Sequence, residues 1–177
     1  METWNERKVV YEGHIFNVET GTATIENGQI APRDLVVHPG AVGIVPFNGH
    51  SVILVKQFRI AVGETMLEIP AGKLEGDEDP ADRARIELIE EAGYTIGTLI
   101  PKGFIYPSVA FLTEKIYLFL AFDLGETPAQ PEWDEDIEVV EMPLAEVREK
   151  LCQGYFTDVK TIAGLLALVS HLDAEQR

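Results

Sequence analysis

A helix with independent signals at both ends is the feature that most constrains how this 177-residue chain can fold. Asp79 is a good N-cap residue, Pro80 suits the first helical turn, and Gly93 suits the left-handed position that ends a helix. Because both ends are marked, the rotational phase of the helix is fixed. At 3.6 residues per turn, one apolar face is predicted to contact a core. The residues of that face are Ala81, Ala84, Leu88 and Ala92.

Three glutamates lie together on another face of the same predicted helix. Glu87, Glu90 and Glu91 are spaced i, i+3, i+4, so each like-charged pair costs roughly a few tenths of a kcal/mol. Such a face is either a solvated acidic surface or a set of oxygen ligands for a hard divalent cation, which would offset the repulsion. The preceding segment, Ile69–Glu78, has the pattern of a strand, a glycine-containing loop and a further acid, and this favours the cation site.

The spacing of these residues resembles the motif of a known family. Gly72 is followed after five residues by Glu78 and after eight more by Glu87, and Glu90-Glu91-Ala92-Gly93-Tyr94 completes the pattern. This resembles the Nudix box, G-x5-E-x7-R-E-U-x-E-E-x-G-U, in which U is a bulky apolar residue. Fixed spacings over so long a segment are far more specific than a lone glycine-rich loop.

The resemblance extends over most of the chain, because several further segments are similar to ADP-ribose pyrophosphatases of the Nudix superfamily. They are Leu54–Arg59, Leu67–Gly72, the substrate loop Tyr106-Pro107-Ser108 with Glu114–Tyr117 after it, and the closing helix Asp158–Leu166. The fold class that this implies is α+β, a Nudix α/β/α sandwich with a mixed central sheet and a small N-terminal β appendage.

The resemblance also implies a metal site and a cofactor. Glu87 and Glu91 match the principal metal-binding carboxylates, Glu90 matches an auxiliary one, and the Ala71 carbonyl matches a backbone ligand. The implied ion is Mg²⁺, with Mn²⁺ as the alternative. Glu78 matches the first acid of the box, which more often organises the loop than binds metal.

Catalytic and substrate-binding roles are carried over in the same way. The implied catalytic residues are Glu87, Glu90 and Glu114, of which Glu114 matches a loop glutamate that orients or deprotonates the attacking water. Arg59 resembles an arginine that meets the substrate phosphates. The full implied substrate-binding set is Gln57, Arg59, Glu68 and Ser108.

Two departures from the family pattern concern activity and substrate choice. Ile86 occupies the arginine position of the box, where the family's arginine pairs with the box glutamates. Arg83 lies four residues before Glu87 on the same helical face, and we hypothesise that it replaces the missing cation; a weak surface ion pair is the alternative. Val109-Ala110 stands where these enzymes typically carry Pro-Gly.

The first forty residues hold too few large apolar groups for a core of their own. We therefore expect residues 1–40 to form a small β subdomain and residues 41–177 to form the Nudix hydrolase domain. By resemblance, the N-terminal strands are expected to be exchanged in a homodimer that helps to build each substrate pocket.

The expected activity is Mg²⁺-dependent hydrolysis of the pyrophosphate bond of ADP-ribose, or of a related nucleoside diphosphate sugar, to AMP and ribose 5-phosphate. One alternative is a hydrolase of another nucleotide sugar, such as a GDP- or UDP-sugar. A second is a non-catalytic nucleotide-sensing Nudix domain, which the residue Ile86 favours. A third, an acidic Ca²⁺-binding or structural module, predicts no binding that depends on phosphate.

Charge and composition limit the partners of the chain. There are 30 Asp and Glu against 14 Lys and Arg, a net charge of −16, which argues against binding nucleic acid or an anionic membrane by bulk field. The segment Glu75–Glu91 alone holds eight acids and two arginines. The negative charge of the chain does not exclude a small nucleoside diphosphate as a substrate, provided that cations accompany it. A single cysteine, Cys152, and no apolar run near the ~20 residues of a membrane span predict a cytoplasmic protein.

Overall fold

The computed structural model describes residues 1–131, 133 and 136–175. Its strands are β1 (Thr3–Glu12), β2 (Asn17–Thr24), β3 (Ile30–Val37), β4 (Ala41–Pro46), β5 (Ser51–Arg59), β6 (Glu64–Glu68), β7 (Ala71–Lys73), β8 (Tyr94–Ile105), β9 (Ile116–Glu126) and β10 (Ile137–Pro143). Its helices are α1 (Pro80–Glu87), a π-helical turn (Leu88–Ala92), α2 (Leu144–Cys152) and α3 (Val159–Glu175). In this described part of the chain, no helix has both the length and the apolar character that crossing a membrane requires.

The chain divides into two compact units, and the first comprises Met1–Gly40 and Tyr106–Lys115. Its sheet is antiparallel, in the order β1-β2-β3. The segment Tyr106–Lys115 is attached to β3 by backbone hydrogen bonds, because the Val36 N–H donates to the Phe111 carbonyl at 2.7 Å and the Thr113 N–H donates to the Val36 carbonyl at 3.0 Å. Residues 106–115 lie within the range 41–177 that Sequence analysis expected for the larger domain.

The second unit comprises Ala41–Ile105 and Ile116–Arg177 and contains two sheets. One has the order β7-β4-β9-β8, and β4 runs parallel to β9 but antiparallel to β7, which makes the sheet mixed as predicted. The other sheet is antiparallel, in the order β10-β5-β6.

Apolar side chains on the two faces of β4 belong to different clusters, since successive residues of a strand point in opposite directions. Val42 and Ile44 pack with Ala84 and Leu88 of the helix that carries the glutamates. Val45 instead belongs to a cluster that includes residues of α2 and α3. The mixed sheet is thus covered by helices on both faces, which is the predicted sandwich.

The ends of the glutamate-bearing helix agree with the sequence prediction, but its interior differs from it. The Asp79 side chain accepts the Ala81 N–H at 2.7 Å, and Gly93 has a left-handed φ of 72°. The last five residues form a π-helical turn instead of continuing the α-helix. Such turns add a residue to a helical turn and commonly occur at functional sites. End signals fix where a helix starts and stops, but they carry no information about a bulge inside it.

Candidate active site

Two of the three box glutamates are buried at the junction of α1 and the π-helical turn. Glu87 is 5% exposed and Glu91 is 4% exposed, whereas Glu90 is half-buried. A carboxylate removed from water is costly unless hydrogen bonds or opposite charges compensate it. We call Arg83, Glu87, Glu90 and Glu91 the helix cluster, and its compensating contacts define the site.

The Glu87 carboxylate lies directly over the backbone of Gly72 in β7. A Cβ atom built on Gly72 would stand 1.4 Å from Glu87 Oε1 and 1.8 Å from Glu87 Cδ. Any side chain at this position would therefore expel the carboxylate. The first glycine of the box is required here because it leaves the space that Glu87 occupies.

Arg83 is placed between two glutamates of the helix cluster, as the hypothesis about the missing box arginine requires. Its Nε donates to Glu87 Oε1 at 2.6 Å, its Nη2 also contacts that oxygen, and Nη2 lies 3.7 Å from Glu90 Oε2. The Arg83 side chain is only 15% exposed, so this is no loose surface pair. Burial opposes its charge, but the charges of Glu87 and Glu90 outweigh that effect and raise the pKa of Arg83.

Neither Ile86, which occupies the box arginine position, nor the neighbouring Arg85 contacts the box glutamates through the bonds described. Ile86, at the box arginine position, is 43% exposed. Arg85 donates from Nη1 to the Ile96 carbonyl at 3.1 Å, so it is engaged with β8.

The other acids of the box are held by backbone N–H groups. The Ala71 N–H donates to Glu91 Oε2 at 2.9 Å, which brings the backbone of a predicted metal ligand into contact with a predicted carboxylate ligand. Glu78 accepts the Glu75 N–H at 2.6 Å, so it organises the loop before α1, as the resemblance implied.

A second group of charges joins β5, β6 and the start of α3. Arg59 donates from Nε to Glu68 Oε1 at 2.7 Å and from Nη2 to Glu68 Oε2 at 3.1 Å, and Lys160 Nζ also donates to Glu68 Oε2. Glu68 is 3% exposed. Burial raises the pKa of Glu68, but the hydrogen bond from Arg59 and the charge of Lys160 outweigh it, so the pKa lies below its ordinary value.

Asp158 completes this second group at the N-terminus of α3. Its Oδ2 accepts hydrogen bonds from Lys160 Nζ at 2.9 Å, from the Thr161 N–H at 3.0 Å and from Thr161 Oγ1 at 2.6 Å. Burial raises the pKa of Asp158, but the charge of Lys160 and these hydrogen bonds outweigh it and lower the pKa. We call Arg59, Glu68, Asp158, Lys160 and Thr161 the cap cluster.

The sequence analysis missed Lys160 and Thr161 as parts of the site. It named Asp158 only as the first residue of the segment that resembles the family's closing helix, and nothing in the spacing connects this helix with β5 or β6. The available signal was the resemblance of Asp158–Leu166 to the closing helix of the family, which names the element but not the contacts.

The two clusters influence each other electrostatically through Arg59. Burial opposes the charge of Arg59, but its hydrogen bond to Glu68 and the charges of Glu68, Glu91 and Asp158 raise its pKa. Gln57 lies two residues before Arg59 on β5, on the same face of the strand. Its buried Oε1 atom accepts no hydrogen bond from the described residues. A buried acceptor of this kind is a polar group whose hydrogen-bonding capacity is unused within the described residues.

Glu114 and Ser108 belong to the first unit and are described within it. Glu114 Oε1 lies 3.6 Å from His38 Nδ1, which is too long for a hydrogen bond. That ring nitrogen accepts the Gly40 N–H at 3.1 Å, and the Thr113 hydroxyl accepts the His38 N–H at 3.0 Å. Ser108 is half-buried in the loop. The loop that carries Glu114 is therefore held by the His38–Gly40 turn.

The donor chemistry of the second unit fits a hard divalent cation. Within the part of the chain that the structure describes, no three His, Cys, Asp or Glu side chains form a ready-made metal group. Carboxylates supplemented by a backbone carbonyl are nevertheless the oxygen ligands that Mg²⁺ and Mn²⁺ take. The two clusters also carry two more negative than positive charges. The acids are Glu68, Glu87, Glu90, Glu91 and Asp158, and the cations are Arg59, Arg83 and Lys160.

Comparison with known proteins gives consistent results. The model of the NUDIX domain matches residues 37–161. The ADP-ribose pyrophosphatase of Bacillus subtilis (strain 168) is 35% identical over 158 residues, covering 88% of this chain and 85% of that protein. The GDP-mannose pyrophosphatase of Cronobacter sakazakii is 37% identical over 132 residues, covering 69% and 66%.

A solved structure supports the fold. The crystal structure of an ADP compounds hydrolase matches with a TM-score of 0.87, covering 98% of this chain and 95% of that one at 21% identity. This likeness confirms the predicted Nudix sandwich. With the domain match and the relatives above, it establishes that the chain belongs to the Nudix family and is a Nudix pyrophosphohydrolase.

Proposed function

We propose that this Nudix hydrolase cleaves the pyrophosphate bond of ADP-ribose, or of a closely related nucleoside diphosphate sugar, to AMP and ribose 5-phosphate in a reaction that requires Mg²⁺. The observation that carries the proposal is the pair of buried glutamates near Gly72. Arg83 holds Glu87, the Ala71 N–H holds Glu91, and Glu91 lies within electrostatic reach of Arg59. The ADP-ribose pyrophosphatase of B. subtilis, similar over most of its length, supports this substrate.

The metal would be held by Glu87, Glu91 and the Ala71 carbonyl, with Glu90 assisting. When bound, a divalent cation neutralises pyrophosphate charge and lowers the pKa of a coordinated water. Mn²⁺ has the same ligand preferences and is expected to substitute for Mg²⁺.

The roles of Arg83 and Arg59 are supported by their contacts, whereas Glu114, Gln57 and Ser108 are assigned the roles that the family resemblance implies. Arg83 orients Glu87 by donating a hydrogen bond to its carboxylate. Arg59, held in a fixed plane by Glu68, stabilises negative charge on the phosphates, since a guanidinium suits bidentate contact with phosphate oxygens. Glu114 positions or deprotonates the attacking water. Gln57 and Ser108 contribute polar contacts to the substrate.

Two alternatives have observations in their favour. The similarity to a GDP-mannose pyrophosphatase supports a GDP-sugar as substrate for the same machinery. A nucleotide-sensing domain without turnover is suggested by Ile86, but the buried pairing of Arg83 with Glu87 supplies the cation that this position lacks and favours catalysis.

We also propose that the protein is a cytoplasmic homodimer. The support is the exposure of large apolar side chains on the strands of the first unit, among them Val9, Val10, Tyr11 and Ile30. Apolar groups concentrated on one small sheet are typical of an interaction surface. Light scattering coupled to size exclusion measures the mass in solution, and a monomer would contradict the proposed dimer.

The experiment that tests the function is a substrate panel with Mg²⁺. ADP-ribose, GDP-mannose, a UDP-sugar and NAD⁺ are incubated separately with the protein, and the released nucleoside monophosphate is identified. We expect AMP from ADP-ribose at the highest kcat/KM, and none when EDTA is present. Preferred release of GMP from GDP-mannose would assign the alternative substrate. Binding of ADP-ribose without release of any monophosphate would establish the sensor.

A further inference from the structure

The loop that carries Ala71 is anchored at three successive residues to three different elements. The Ile69 N–H donates to Thr161 Oγ1 of α3 at 3.0 Å. The Pro70 carbonyl accepts the Ile44 N–H of β4 at 2.9 Å. The Ala71 N–H donates to Glu91 of the π-helical turn at 2.9 Å. The first anchor comes from the cap cluster, at a sequence distance of 92 residues.

The Thr161 hydroxyl can hold this anchor in only one orientation. It donates to Asp158 Oδ2 at 2.6 Å and accepts from Ile69, so its proton and one lone pair are both engaged. Thr161 and Ile69 are fully buried. Without the hydroxyl, the Ile69 N–H would lose its acceptor in an environment that excludes water.

Lys160 acts on the substrate side of the same cap cluster. Its Nζ bridges Glu68 Oε2 and Asp158 Oδ2, and its side chain is 12% exposed. Glu68 in turn accepts two hydrogen bonds from Arg59, through Nε and Nη2. The orientation of the Arg59 guanidinium therefore depends on where Lys160 and Asp158 hold the Glu68 carboxylate.

We propose that Asp158, Lys160 and Thr161, at the start of α3, are positioning residues for both halves of the active site. Lys160 orients Arg59 toward substrate phosphates through Glu68, and Thr161 orients the Ile69–Ala71 loop toward the metal. Asp158 holds both residues in place. The inference rests on the proposed function for the roles of Arg59 and Ala71, and it adds a set of residues outside the Nudix box on which those roles depend.

Within the cap cluster, Lys160 and Thr161 give distinct predictions. Lys160→Met removes the cation from Glu68 and is expected to raise KM for ADP-ribose about tenfold or more, while Mn²⁺ affinity stays within about twofold of wild type. Thr161→Val removes the hydroxyl at nearly constant volume and is expected to weaken Mn²⁺ binding about tenfold, with a smaller change in KM. Thr161→Ser keeps the hydroxyl and should restore Mn²⁺ affinity.

The test measures Mn²⁺ affinity by calorimetry, KM and kcat for ADP-ribose, and melting temperature for each variant. Arg148→Met is the matched control, since Arg148 pairs with Asp173 of α3 at 2.5 Å, far along the helix from its start. It should lower the melting temperature slightly and leave KM and Mn²⁺ affinity unchanged. Variants that lose thermal stability but keep wild-type KM and Mn²⁺ affinity would overturn the inference, as would Thr161→Ser failing to differ from Thr161→Val.

Failure of the proposed function is distinguishable from failure of this inference. If wild-type protein hydrolyses none of the nucleotides, the function is wrong, but Mn²⁺ affinity and the affinity for inorganic pyrophosphate in the presence of Mg²⁺ are still measurable. The inference then requires Lys160→Met to weaken pyrophosphate binding and Thr161→Val to weaken Mn²⁺ binding. If neither binding constant changes, the inference is wrong as well.

Discussion

The helix cluster and the cap cluster both stabilise buried carboxylates, but they draw their cations from different distances along the chain. In the helix cluster, Arg83 lies four residues before Glu87 on the same helix. In the cap cluster, Glu68 is compensated by Arg59, 9 residues away, and by Lys160, 92 residues away. A local cluster is stabilised by helix geometry, whereas a non-local one forms only when the tertiary fold is complete. The helix cluster should therefore govern chemistry directly, and the cap cluster should govern the precision with which the site is assembled.

The largest expected effect comes from a box carboxylate of the helix cluster. Glu87→Gln keeps the shape of the side chain and removes its charge, so the proposed metal ligand and the partner of Arg83 are both weakened. We expect kcat to fall by about 10²–10⁴ under saturating Mg²⁺. Steady-state kinetics with ADP-ribose measure this, and Glu149→Gln, on the exposed side of α2, is the control. Near-normal kcat in Glu87→Gln would remove Glu87 from the metal site.

Gly72→Ala should be nearly as damaging without altering any charged residue. The added methyl group would collide with the Glu87 carboxylate and force it out of its place. We expect Mn²⁺ affinity and kcat both to fall at least about tenfold. Gly76 lies in the next loop with open space around its Cβ position and a φ of 58°, so Gly76→Asn is the matched control. Equal activity of the two variants would contradict the conclusion that Gly72 leaves the space that the Glu87 carboxylate occupies.

Arg83→Ala tests whether Arg83 replaces the box arginine whose position is occupied by Ile86. Loss of the partner of Glu87 should lower kcat about 10–100-fold. Arg85→Ala is the control, because Arg85 contacts the Ile96 carbonyl and not a glutamate. Adding Ile86→Arg to Arg83→Ala returns a cation to the box position and should recover part of the activity. If Arg83→Ala is as active as wild type, the relocation hypothesis is wrong.

The smallest expected effect is the acid sensitivity that the cap cluster confers. The pKa values of Glu68 and Asp158 are lowered in the folded protein from 4.5 and 3.8. Their stabilisation is present above these values and is lost as the pH falls through the lowered ones. The free energy of unfolding should therefore decline below about pH 4.5, by roughly 1–3 kcal/mol in total. Denaturant unfolding at several pH values measures this, and Lys160→Met should show a weaker decline over that range.

The sequence predicted the local contacts of the candidate site but not the contacts between segments distant in the chain. The box spacing predicted Glu87, Glu90 and Glu91 on one face, and helix phase placed Arg83 beside Glu87. The resemblance led to Arg59 and Glu68 as substrate residues. Neither source predicted Lys160 or Thr161, because the start of α3 meets β6 only through tertiary packing. The π-helical turn was missed for a related reason, since end signals do not report on hydrogen bonding inside a helix.

The fold shows the same pattern at larger scale. In the second unit, the ends of the glutamate-bearing helix at Asp79 and Gly93 were predictable from the residue types there. The attachment of Tyr106–Lys115 to β3 was not, because it depends on backbone hydrogen bonds to Val36 that leave no trace in composition. That attachment assigns Glu114 and Ser108 to the first unit, together with residues distant in sequence.

The central claim is that the buried carboxylates of the helix cluster bind a divalent cation. The bound cation then allows an anionic pyrophosphate to bind to an acidic protein. Calorimetric titration of a non-hydrolysable methylene analogue of ADP-ribose, with and without Mg²⁺, tests it most directly. We predict that the analogue binds at least about tenfold more tightly with Mg²⁺ than in EDTA, and that Glu87→Gln abolishes the difference. Equal affinity of the wild-type protein with and without metal would contradict the account.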